Sequence, residues 1–198
     1  MKIKKCIIEN KNLYFIFFLL LITLYQNSFI FAESRDVDWE ELKNKSYNTI
    51  QEDKENVLAN FQYSISLANL GKIEEAYDYF DKIKNRFSIE EFNETINPFI
   101  KDLDYNSKNI LLLNYAAFTS VINSKNKYSI PYFEQIIRLE PNNIWSRNFL
   151  AATYLELEDY DKAIQIAEET NEIQNNEYSH LIIGIAHYNN GNILKALG

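Results

Sequence analysis

His180 and His187, seven residues apart, are the first place to look for chemistry in this chain. On a helix that spacing puts both imidazoles on one face, where two ring nitrogens are able to share a metal ion. No carboxylate stands at ligand spacing between them, and no His-Glu-x-x-His pattern occurs. Packing of both rings on an inward helix face is the preferred reading. The chain has one cysteine, Cys6, so disulfides, thiolate metal sites and a cysteine nucleophile have no residues to use beyond the N-terminal segment. Asp and Glu are plentiful, but Glu74, Glu75, Asp159, Glu168 and Glu169 fall near helix ends or on polar faces, where carboxylates are ordinarily solvated. Gly71, Gly184, Gly191 and Gly198 are isolated, so no glycine-rich loop cradles phosphate, and no Gly-x-Ser-x-Gly elbow is present. The chain reads as a non-enzyme with no catalytic residue, no metal and no cofactor.

Charge and composition narrow the partners. A formal net charge of −8 leaves no basic surface for phosphates, which argues against nucleic acid. Only 4 Gly and 3 Pro in 198 residues speak against a β-rich or disordered chain. Its 14 Tyr and 13 Phe supply rings for the seams between helices.

Those seams follow from a repeat of about 34 residues. Windows laid from Ile110, Ile144 and Glu177 share a small residue at the eighth place: Ala117, Ala151 and Gly184. Tyr154 and His187 stand at the eleventh place, and Ser129, Ala163 and Ala196 at the twentieth. Small residues at both places let the two helices of a hairpin approach closely, and larger neighbours fill the gap. A single hairpin cannot bury its apolar face alone, so neighbours stack and share a core. An upstream copy begins at Val57, with Ser64 and Ala76 at the same places.

Residues 151–164, 139–143, 184–196 and 70–80 carry a resemblance on these motifs. Ala151, Tyr154 and Ala163, the Leu139-Glu140-Pro141 linker, Gly184 with Ala196, and Gly71 with Ala76 and Phe80 are similar to the tetratricopeptide repeat (TPR) family. Glu158 stands where the family's turn glycine is usual, and Ser64 and Ser129 where Ala or Gly is typical. The resemblance implies an all-α, right-handed superhelical solenoid of helix-turn-helix hairpins and a binding role. It also implies that the second, fifth, ninth, twelfth and thirteenth places of each copy face a concave groove. On that basis the expected partner-binding residues are Asn114, Phe118, Trp145, Asn148, Ala152, Glu156, Tyr178, Leu181, Tyr188 and Asn189. The set is aromatic, aliphatic and amide, with no Lys or Arg. A groove of that kind suits a peptide or helix better than a terminal carboxylate.

The remaining segments complete the plan. Lys2, Lys4, Lys5 and Lys11 precede an almost wholly apolar run at 13–25, and Ala32 stands before the polar Glu33. Residues 1–32 therefore read as a secretory signal, or as a retained anchor in the cytoplasmic membrane. Residues 33–56 read as a capping helix or a polar spacer, and 57–198 as the solenoid. Its units are 57–90, 110–143, 144–176 and a truncated 177–198. An extra helical segment at 91–109 is expected to be kinked or split by Pro98. The shortened last unit is expected to leave Leu181, Ile182, Ile183 and Ile185 exposed, so that either the chain is a fragment of a longer protein or a partner or second copy covers its C-terminal end. The functional expectation is an exported or membrane-tethered protein-interaction scaffold. The alternatives are an accessory domain of a longer enzyme, and an extracytoplasmic receptor for a small ligand or glycan that stacks on Trp145 and Tyr188.

Overall fold

A computed structural model describes residues 37–196, and all regular structure among them is helical. Helix α1 is Trp39–Glu52, α2 Val57–Asn69, α3 Ile73–Arg86, α4 Ile89–Ile100 and α5 Ile110–Ile122. Then follow a 3-10 turn at Asn126–Tyr128, α6 Ile130–Leu139, α7 Ile144–Glu156, α8 Tyr160–Ile173, α9 Glu177–Asn189 and α10 Ile193–Ala196. The windows read from the sequence open on the first residues of α5, α7 and α9, and Val57 opens α2.

One local chemistry starts all four of these helices. Asn56, Asn109, Asn143 and Asn176 each precede one, and each side-chain oxygen accepts the N–H three residues on, at 2.9–3.0 Å. Such a cap satisfies one of the donors a helix start leaves unpaired, and is worth about 1 kcal/mol relative to alanine.

One local chemistry also ends them. Gly71, Ser124, Glu158 and Gly191 take φ of 75°, 56°, 61° and 77°. The next N–H in each case reaches back five residues: Lys72 to Leu67, Lys125 to Ser120, Asp159 to Tyr154 and Asn192 to His187, at 2.8–2.9 Å. This left-handed closure turns the chain into the second helix. Ser124 and Glu158 carry a Cβ there, at a cost of roughly 1–2 kcal/mol each. Replacing Glu158 by Gly relieves that strain but frees the unfolded chain, so a net gain of about 0.5–1 kcal/mol is expected. The urea midpoint should rise at an unchanged slope. A variant no more stable than the parent would mean that the turn does not need a left-handed residue.

Behind these turns, small residues set the approach of paired helices. Ala151 and Ala163 are both 0% exposed where α7 meets α8, and Ala167 and Ala186 continue the seam toward α9. Ala151→Leu has no space to enter and should cost roughly 1–3 kcal/mol. A thermal melt that stays in place would refute this seam.

Two segments differ from, or decide between, the expectations. Residues 33–56 contain a helix, α1, which buries Ser46 and Ile50 and packs on α2. Pro98 does not split the inserted segment: α4 begins at a Ser88 cap and runs through Pro98 to Ile100. The proline sits in the last turn, so its missing N–H removes one hydrogen bond near the end and leaves the helix interior intact. Helix α4 packs between α2 and α5, with Phe92 1% and Ile96 0% exposed. The Asn93 and Asn123 amides also exchange hydrogen bonds at 3.0 and 2.9 Å.

No helix among the described residues is long and apolar enough to cross a membrane. The signal or anchor expected at 1–32 lies outside the described residues.

Candidate functional site

A glycine and a tryptophan bring the first hairpin onto the third. Trp145, at the second place of α7, lies against Gly71, the turn between α2 and α3. A Cβ built on Gly71 would overlap Trp145 Cζ2 and lie 2.7 Å from Cε2. The starts of α3 and α7 are therefore neighbours. The Trp145 ring also meets Tyr178 edge-on, at 5.9 Å between centroids. Burial raises the Tyr178 hydroxyl above its ordinary pKa, with Glu177 and Glu74 adding to the shift.

From that junction α3 runs along the inner positions of α5 and α7. Phe80 of α3 stacks on Phe118 of α5, 5.0 Å between centroids and 18° between planes. Phe118 also meets Phe133 and Phe149 edge-on at 5.5 and 5.0 Å. Between α3, α5, α6 and α7 remains an apolar cavity of about 300 Å³. Phe118, Phe133 and Phe149 line it from α5, α6 and α7, and Tyr77 and Phe80 from α3. Lys84 and Glu156, both exposed, stand at its margin near the ends of α3 and α7.

The ten residues expected in one concave groove thus divide into several environments. Phe118, Ala152 and Glu156 line the cavity, although Phe118 is only 4% exposed. Asn114 and Asn148 are not on an open surface: they are 1% and 5% exposed and bonded within the chain. Asn114 Oδ1 accepts from Asn69 at 2.9 Å, tying α5 to α2. Asn148 donates to Asn176 at 3.0 Å and accepts from the Ser179 hydroxyl at 2.7 Å, tying α7 to the start of α9. The physical reason is desolvation, since an enclosed amide must find partners inside the protein. Trp145 and Tyr178 are half-buried against each other. Leu181, Tyr188 and Asn189 stand exposed on α9, the first two at 58% and 65%.

One of the two histidines corrects another expectation. His180 does not point inward: it is exposed, and its Nε2 donates to Asn175 Oδ1 at 2.5 Å. His187 is half-buried, with Nδ1 enclosed and without a hydrogen-bond partner among the described residues. The expectation of an exposed α9 face holds for Leu181 and Ile185, but Ile182 is 8% exposed, packed against the alanine seam, and Ile183 is half-buried. Sequence reasoning missed Tyr77, Phe80 and Lys84, because it placed only first helices around the groove. The available signal was α3 itself. Its Ile73, Tyr77, Phe80 and Lys84 form a stripe distinct from Ala76, Ile83 and Phe87, so the helix has two faces to cover.

Repeated hairpins of 13-residue first helices, with Asn starts and left-handed ends, define an all-helical repeat protein. Residues 129–182 match the family model described as Tetratricopeptide repeat, which supports the TPR resemblance over that part of the chain. Among solved structures, the chain is similar to one described as "MamA RS-1 ArsTM double mutant", at 17% identity and a TM-score of 0.43. That match covers 80% of this chain and 79% of the other. No curated protein matches the chain.

Proposed function

We propose that this protein is a non-catalytic interaction scaffold, exported or tethered to the outer side of a cytoplasmic membrane, that binds a protein partner on its helical array. One observation carries the binding part: Leu181, Ile185 and Tyr188 form an exposed apolar row at i, i+4 and i+7 on α9, at 58%, 38% and 65% exposure. Trp145 is already committed to Gly71 and Tyr178, which weakens the reading of a glycan stacked on Trp145 and Tyr188. Export rests on the Lys-rich start, the apolar run at 13–25 and Ala32.

The test is quantitative cross-linking of the full chain in the native envelope, beside a Leu181→Ala/Tyr188→Ala variant of the same expression level. A cross-linked protein lost with the variant is the expected result. Identical patterns, or no cross-linked protein at all, would overturn the use of this face. Recovery of the whole chain, Met1 included, in soluble cytoplasm would overturn export.

A further inference from the structure

We infer that the cavity walled by α3, α5, α6 and α7 receives one large apolar side chain of a partner peptide, whose neighbouring residues place an acid at Lys84 and a base at Glu156. This rests on the scaffold reading but names a different site from the α9 face. It also differs from an open row of first-helix positions, because a second helix, α3, supplies one wall.

Size selects the kind of occupant. A helix with its side chains is about 10–12 Å across, too wide to enter a space of this volume. At about 300 Å³ the cavity sits at the lower edge of specific ligand sites, and one or two side chains fill it. Its lining selects an apolar group that meets ring faces and edges, with Phe118, Phe133 and Phe149 already arranged around it.

Charge then separates a peptide from a simple amphiphile. Lys84 and Glu156 have no ion partner or side-chain hydrogen bond among the described residues. They end helices whose starts are held together at Gly71 and Trp145, so both charges border the same cavity on different walls. A fatty acid would pair with Lys84 but leave Glu156 unmatched, and an alkylammonium would pair with Glu156 but leave Lys84 unmatched. A peptide with an acid and a base flanking its apolar residue satisfies both charges at once.

The test is selection of a displayed library of random 12-residue peptides against the full chain, followed by anisotropy titration of the recovered sequences. Recovered peptides should carry Phe, Trp or Leu with one acid and one base nearby. Ala152→Trp fills the cavity and should weaken them by at least about tenfold. Lys84→Glu, on an exposed residue that leaves the fold intact, should weaken them by a similar factor and be rescued when the peptide's acid is changed to Lys. Peptides indifferent to both changes but lost with Leu181→Ala/Tyr188→Ala would overturn the cavity and leave the scaffold standing. Recovery of no peptide would overturn both. Dodecanoate or dodecylammonium binding that Ala152→Trp abolishes, with peptides unaffected, would overturn the choice of occupant.

Discussion

Gly71→Ala should be among the most damaging single-atom additions this chain can receive, at a cost of about 2–5 kcal/mol. Two effects combine. A left-handed residue with a Cβ costs roughly 1–2 kcal/mol, and pushing the Trp145 ring aside costs roughly 1–3 kcal/mol more. Gly191 separates the two effects, because it has nearly the same φ, 77° against 75°, with nothing within 4 Å of its would-be Cβ. Gly191→Ala should therefore show the backbone cost alone. Urea unfolding followed by tryptophan fluorescence compares them directly. Equal losses for the two variants would mean that Trp145 does not rest on the turn.

Phe61→Ala should cost about 3–5 kcal/mol, the range for deleting a fully enclosed ring. Phe61 is 0% exposed and meets Phe92 edge-on at 5.1 Å and Tyr115 at 5.4 Å. It therefore joins α2 to the inserted α4 and to α5. Phe61 shares one buried cluster with Ile96 and Leu113, both 0% exposed, so little can move in to close the gap. Equilibrium denaturation reads the loss. A cost below about 1 kcal/mol would mean that α4 is not packed where described.

What the sequence disclosed, and what it hid, follows from the range of the interactions involved. Helix starts at Ile110, Ile144 and Glu177 were legible because their causes lie within a few residues: a polar cap, a left-handed turn and a small residue at a fixed place. The four Asn caps repeat with the same register, but a periodicity read only from apolar and small residues passed over them. Glu158 was recognisable as an odd turn residue, and its positive φ gives the physical content of that oddity. The placement of α3 was not legible. It depends on α4 entering between α2 and α5, and on Trp145 meeting a glycine 74 positions earlier in the chain. Spacing assigned Asn114 and Asn148 to a helix side, but it could not say whether solvent or another helix lay there. His180 shows the same limit: its register matched an inward ring, yet the side chain is exposed.

The most direct test of the central claim, that α3 walls the inner side of α5 and encloses the cavity, is a double-mutant cycle on Phe80 and Phe118. Leucine at each position keeps apolar volume while removing the ring stack, whose centroids are 5.0 Å apart. The account predicts a coupling of about 0.5–1.5 kcal/mol between the two substitutions, measured from urea unfolding of the four proteins. Strict additivity, with a coupling below about 0.3 kcal/mol, would contradict it.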